Sequence, residues 1–216
     1  MCGRFINLNS NKKLKNIFDI NDKNNLKNIN SYNVAPSQQT IIINNDNNCE
    51  LADWGFKFVD KESQKENLVI NSRLETINNK LIFKDSFLKR KCIIPANGYY
   101  EWHKENNIKK PYFIHVPEKE TIFFAGIWKY IDFYKSKRLV FSIITKPANY
   151  ILTKIHHRMP VIFSIEESKE YLESNNNEFL DTNFVSIIEK YFEFYEISKF
   201  VNSPVNNSPE CINPIK

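Results

Sequence analysis

Apolar and polar residues alternate along this chain with two different periods, and the changes of period mark its elements. Residues 3–8 read as a short strand, which leaves Cys2 at the tip of a fixed element. From residue 11 the period lengthens. Leu14, Ile17, Phe18 and Ile20 fall on one helical face and predict a helix over 11–20. The polar run 21–30 reads as a loop. Pro36 disfavours the helical region at Ala35, so Tyr32–Ser37 is extended or turning. Strands are predicted over 39–44 and over 49–58, the second carrying Trp54-Gly55-Phe56. A charged connector, 60–67, leads to a short apolar stretch that ends in Asn71-Ser72-Arg73.

Residues 74–90 are predicted to be partly helical, with Leu81, Ile82, Phe83, Phe87 and Leu88 inward. The basic cluster Lys89-Arg90-Lys91 precedes a strand end at Cys92–Pro95. Four good strand patterns follow: 99–102, 111–116, 121–128 and 139–145, with polar turns that suit hairpins. A short helix at 149–155, a strand at 161–163, helices at 166–174 and 182–191, a strand at 192–200 and a Pro/Asn-rich tail complete the pattern. Strands next to one another, with helices at the edges, predict an α+β fold. Its sheet is expected to be mainly antiparallel and curled or barrel-like, not doubly wound. No repeat or clean linker divides the chain. One domain over 1–216 is expected, with 202–216 as a tail packed on it.

Composition narrows the class only a little. Hydrophobic residues make up 42% of the 216 and aromatics 14%, a folding composition. A net charge of +5 permits a polyanionic partner without demanding one. The cysteines at 2, 49, 92 and 211 are too far apart for a zinc knuckle or a disulfide framework. No Walker loop, dinucleotide fingerprint or HExxH motif occurs, so no cofactor and no metal are expected. No apolar run has secretory or membrane-spanning character, which points to a reducing compartment and no membrane partner.

The chemistry begins at Met1-Cys2-Gly3-Arg4-Phe5. Removal of Met1 would make Cys2 a 1,2-aminothiol. Its amine can form a Schiff base with an aldehyde, and its thiolate can then add to the imine carbon and close a thiazolidine ring. An internal cysteine cannot do this, because its nitrogen is an amide. Glu101 lies between Tyr100 and Trp102. It is an outward residue of an alternating strand, or, if it faces inward with Tyr99, a carboxyl suited by burial to proton transfer. His156, Asn71, Glu75, Arg4, Arg73, Arg158, Trp54 and Trp102 are further candidates. Each also has a plainer reading as a turn, surface or core residue.

Taken in order, several segments resemble one family. They are Cys2-Gly3-Arg4-Phe5, Tyr32–Pro36, Trp54-Gly55, Asn71–Thr76, Arg90–Cys92, Pro95–Trp102, Phe124–Trp128, Thr145–Asn149, Ile155–Ile162 and the closing Val201–Cys211. They look like the successive motifs of the SRAP family, the SOS-response-associated peptidase or abasic-site processing proteins. The resemblance implies recognition of abasic sites in single-stranded DNA. It also implies a covalent thiazolidine cross-link through Cys2 after loss of Met1, with abasic-site lyase and self-processing peptidase activities. It assigns Cys2 as nucleophile and Asn71 as the residue that orients it. Glu101 becomes the proton shuttle, and His156 the group that helps open the sugar. Arg4, Arg73 and Arg158 would hold phosphate, and Trp54 and Trp102 would shape the DNA site.

A monomer is expected, acting in the cytoplasm at the nucleoid, or in the nucleus of a eukaryote. The chain departs from the family where Ser72 replaces Ala and where Asn97 and His157 replace Asp. It also lacks the proline-and-tryptophan loop after Trp54-Gly55. Two other readings of the residues are an N-terminal-nucleophile cysteine amidohydrolase or peptidase, and a non-catalytic nucleic-acid-binding module.

Overall fold

The computed structural model describes residues 2–20, 29–59, 64–117, 121–134, 136–174 and 179–215. Its centre is a sheet that closes on itself. The strand Ser136–Pro147 pairs with Cys49–Trp54, which pairs with Gln39–Asn44, then Lys91–Ala96, then Ile122–Phe133, which returns to Ser136–Pro147. Closure leaves these five strands without a free edge. The pairings around this ring are antiparallel, except that of Ser136–Pro147 with Cys49–Trp54. A second sheet runs Glu193–Glu196, Ile108–His115, Gly98–Glu105, Arg4–Asn7 and Ser31–Val34, all antiparallel. The expected curled, mainly antiparallel α+β architecture is therefore observed.

The closed strands are buried on both faces, which is why they read as near-continuous apolar runs. On Ile122–Phe133, Phe124 packs with Phe5 and Tyr99 in the core shared with the second sheet. Its neighbours Phe123, Ala125 and Ile127 face a second core, covered by Leu14, Phe83, Phe87, Tyr171 and Leu172 from the helices. A third, smaller core joins Ile6, Tyr100 and Phe113 to Val201 and Cys211 of the tail. The tail is clamped as well as packed. Asn33 Nδ2 donates to the carbonyls of Val201, Ser203 and Asn206.

The helices are Asn11–Ile17, Leu81–Lys89 and Ile165–Glu173. The last starts in a capping box: Ser164 accepts from the Glu167 N–H, and Glu167 accepts from the Ser164 N–H.

Several expectations need correction. Helix Leu81–Lys89 buries Phe83, Ser86 and Phe87. Leu81 and Leu88 lie off that face and are 92% and 49% exposed. The predicted strand over 49–58 breaks at Gly55, which has φ +129° and no room for a Cβ beside Leu68. Phe56–Val59 leaves the barrel there and pairs with Glu66–Val69, so the end of the expected connector is a strand; residues 60–63 lie outside the described ones. Most of the expected 21–30 loop also lies outside them. The predicted helix over 182–191 is a run of turns ending in the 3-10 turn Glu189–Tyr191. Glu167 from another helix accepts the Ile187 N–H, and Glu189 accepts the Ser186 N–H, replacing intrahelical bonds. The predicted last strand stops at Glu196, and a 3-10 turn over Lys199–Asn202 follows.

The strand that carries Glu101 starts at Gly98, whose φ is +156°. A Cβ there would sit 2.5 Å from the Phe113 ring and 2.7 Å from the Ile114 carbonyl oxygen. Gly98→Ala is expected to destabilise the fold by about 1–3 kcal/mol, measured by urea unfolding. Beside it, Asn97 Oδ1 accepts the Leu8 N–H at 2.7 Å and the Asn9 side-chain amide at 3.3 Å. One oxygen suffices for those bonds, so the missing acid leaves this corner intact.

Candidate active site at Cys2

Three chain segments meet at Cys2. Strand Arg4–Asn7 pairs with Gly98–Glu105 through Arg4↔Tyr100 and Phe5↔Tyr99, which carries Cys2 toward the Glu101 end. Strand Ser136–Pro147 pairs in parallel with Asn71–Arg73 through Ile143↔Asn71. Farther along, it pairs with Arg158–Pro160 through Pro147↔Arg158. One barrel strand therefore sets both Asn71 and the segment that follows His156.

Cys2 is fully buried, and Asn71 Nδ2 donates to its carbonyl oxygen at 2.9 Å. Asn71 Oδ1 is buried and has no hydrogen-bond partner among the described residues. The Cys2 thiol lies 4.0 Å from the Arg4 carbonyl. Burial, reinforced by the Glu101 charge, pushes the thiol well above its ordinary pKa. Glu101 faces inward with Tyr99, and both are buried. The outward reading of Glu101 is therefore set aside. Tyr100 is buried too, because the tail core covers the other face of its strand. Burial raises the Glu101 pKa, and the chain's amino-terminal charge opposes the rise.

His156 Nε2 lies 4.0 Å from Glu101 Oε1. The Arg158 backbone N–H donates to His156 Nδ1 at 3.0 Å, so in the neutral ring the proton sits on Nε2, facing Glu101. Burial first, then the amino-terminal charge and that of His157, lower the His156 pKa to about 4. The imidazole is neutral at pH 7. Its folded pKa lies below the ordinary 6.5, so the unfolded chain takes up this proton first as pH falls. The stability His156 contributes is complete above pH 6.5 and is lost as the pH drops toward about 4. Glu101, with a raised pKa, has the opposite sign: its contribution is complete below the ordinary carboxyl value and fades as pH rises through the folded one. An NMR titration is expected to place the His156 midpoint near 4, and His156→Gln is expected to flatten the stability loss between pH 6.5 and 4.

The expected phosphate-holding arginines are placed unequally. Arg158 is buried. It makes a two-pronged ion pair with Glu75 and donates to the Thr145 carbonyl at 2.7 Å and hydroxyl at 3.1 Å. Burial would raise the Glu75 pKa, but the bonds to Arg158 outweigh it and hold the carboxyl below its usual value. Arg4 donates to Asn33 Oδ1 and to the carbonyls of Val201 and Asn202. Both guanidinium groups are thus spent on the protein, one fixing the turn after His156 and the other fixing the tail. Arg73 is exposed. The expectation for Trp54 is corrected as well. Its side chain is wholly buried, with Nε1 donating at 2.9 Å to the carbonyl of Ile70, the residue before Asn71. Trp102 is half-buried and donates to Asn202 Oδ1 at 2.8 Å.

Sequence reading missed Thr145 and Asn33 as the residues that engage the two arginines. The motif Thr145–Asn149 and the segment Tyr32–Pro36 were the available signals. Among the described residues, no group of three or more His, Cys, Asp or Glu side chains is arranged to hold a metal ion, and no helix is long and apolar enough to cross a membrane.

The family profile described as SOS response associated peptidase (SRAP) matches residues 1–204. The chain belongs to the SRAP family. Among its SRAP relatives is the Bacillus subtilis abasic site processing protein YoqW, 35% identical over 193 residues that cover 84% of this chain and 85% of that one. Abasic site processing protein YoaM of the same organism is 33% identical, covering 99% of this chain and 98% of its own. The Escherichia coli protein YedK, also named an abasic site processing protein, is 28% identical over 87% of this chain and 86% of its own. The SRAP fold here superposes on a crystal structure of a protein from Bacteroides thetaiotaomicron with a TM-score of 0.84, at 24% identity and full coverage of both chains.

Proposed function

We propose that this protein processes abasic sites in single-stranded DNA by capturing them covalently on Cys2 once Met1 has been removed. The observation that carries the reading is the seating of Cys2: Asn71 holds its carbonyl at 2.9 Å, within a site that also holds Glu101 and a neutral His156 4.0 Å apart. The names of the relatives support the same substrate class.

Hydrolysis of the Met1–Cys2 bond consumes one water, releases methionine and frees the α-amine; in this reading the same site performs it. Asn71 Oδ1 is then an acceptor for an amine N–H. The ring-opened abasic sugar presents an aldehyde. The amine adds to it, and Glu101, with its raised pKa, protonates the departing hydroxyl, so that one water leaves and a Schiff base forms. The thiol proton passes to the Glu101 carboxylate left by that step, restoring its acid form, and the sulfur closes on the protonated imine carbon as the thiazolidine. His156 Nε2–H can donate to the sugar oxygen as the ring opens. The Schiff base also acidifies the neighbouring sugar carbon, so β-elimination and strand cleavage compete with ring closure as a lyase side reaction. In this reading Arg73, exposed two residues from Asn71, is the arginine that would meet a phosphate. The protein acts as a monomer, in the reducing compartment that holds the genome.

Glu101→Gln is expected to slow adduct formation on the order of a hundredfold while leaving DNA affinity nearly unchanged, because only proton transfer is removed. Single-turnover gel assays beside equilibrium binding check this. An unchanged rate would remove Glu101 from the mechanism.

A further inference from the structure

The imidazole of His157 lies against that of His156, with ring centroids 4.2 Å apart and planes 27° from parallel. His157 is exposed, so burial does not force this contact. Its backbone is pinned, because the Ala148 N–H donates to its carbonyl oxygen at 3.0 Å. One face of His156 is thus covered by His157 while its edge is fixed by the Arg158 N–H on Nδ1. We propose that His157 is a positioning residue for the reaction: its ring holds the His156 imidazole in the plane that aims Nε2 at Glu101. This rests on the reading of Cys2 given above.

Among the described residues, the titratable and charged groups nearest His156 are Glu101 on the second sheet, Arg158 on its own segment and His157; the amino-terminal charge also acts to lower its pKa. His103 stands next to this group, against the Ile155 carbonyl. Glu101 is the acid among them. A positive charge on His157 works against one on His156, so the stacked ring helps keep His156 neutral as well as oriented. An acid at 157 would have the opposite electrostatic effect and could not stack as a ring.

The test uses the full chain and three variants, His157→Ala, His157→Phe and His157→Asp. Capture of an abasic oligonucleotide is followed at saturating DNA, and the His156 titration is followed by NMR in the free protein. His157→Ala is expected to slow capture roughly tenfold with DNA affinity unchanged, since a loosened reacting group loses rate before it loses binding. His157→Phe, which keeps a flat ring, is expected to restore most of that rate. His157→Asp is expected to move the His156 midpoint upward from about 4. An alanine variant with wild-type rate and midpoint, or a phenylalanine variant no faster than alanine, would overturn the proposal. If wild-type protein forms no adduct, the reading of Cys2 fails instead, and the NMR midpoints still report whether the stack acts on His156.

Discussion

Cys2→Ala protein is expected to bind abasic single-stranded DNA and leave no adduct that survives denaturation. The expected effect is total, because the thiazolidine sulfur has no substitute. Cys49, Cys92 and Cys211 are buried and carry no α-amine. The alanine variant, once Met1 is removed, still has a free amine in the same place, held by the same Asn71 bond to the residue-2 carbonyl. It should therefore still form a Schiff base that borohydride traps, and it should cleave more of the DNA by β-elimination than wild type does. Loss of the stable adduct with retention of the trapped one separates the sulfur's role from the nitrogen's. Loss of both would point to a disturbed site, which near-wild-type DNA affinity would argue against.

The second large effect concerns stability. Lys146 and Glu189 form an ion pair in which the side chains are only 6% and 4% exposed. Lys146 also donates to the Phe184 carbonyl, and Glu189 also accepts the Ser186 N–H. This pair ties the end of the long barrel strand to the segment Phe184–Glu189; Asn149, three residues on from Lys146, donates to the Glu189 carbonyl and accepts the N–H groups of Ile151 and Leu152. Lys146→Met leaves a buried carboxylate uncompensated and is expected to cost about 3–5 kcal/mol. That is a large share of the roughly 5–15 kcal/mol available to a domain of this size. Adding Glu189→Leu should recover much of the loss, since a buried pair and an apolar replacement are often nearly equivalent. Recovery will be partial, because Phe184 O and Ser186 N then lose their partners. Urea unfolding of the single and double variants measures both.

The barrel strands were legible where apolar residues run together. The stretches 39–44 and 91–96 carry adjacent buried residues such as Ile41, Ile42 and Ile43, as closed-barrel strands with two covered faces require. What alternation could not reveal was the destination of each face. Glu101 could point to water or inward until the tail core was seen to cover the opposite face of Tyr100. Helices were less legible. Leu81 and Leu88 suited the pattern, yet the helix is short and uses one narrow face. The 182–191 segment has helical spacing, but the Glu167 carboxylate from the preceding helix takes the Ile187 N–H, and Glu189 turns its own side chain back onto the Ser186 N–H.

Cys2, Asn71, Glu101 and His156 were among the sequence candidates, the SRAP resemblance picked them out, and the fold brings them near one another. Sequence alone could not show that Arg4 and Arg158 spend their charge on the protein. Their partners include Val201 and Asn202 for Arg4 and Glu75 for Arg158, which lie 83 to 198 positions away along the chain.

The most direct measurement is a mass spectrum of the adduct's N-terminal peptide. Met-processed protein is mixed with a single-stranded oligonucleotide holding one abasic site, denatured, treated with a thiol-alkylating reagent and digested with trypsin. Cys2-Gly3-Arg4 is expected joined to the DNA with the loss of one water and without an alkyl group, because its sulfur is in the ring. A Cys2-Gly3-Arg4 peptide recovered alkylated and free of DNA, from protein whose Met1 is shown to be gone, would contradict it.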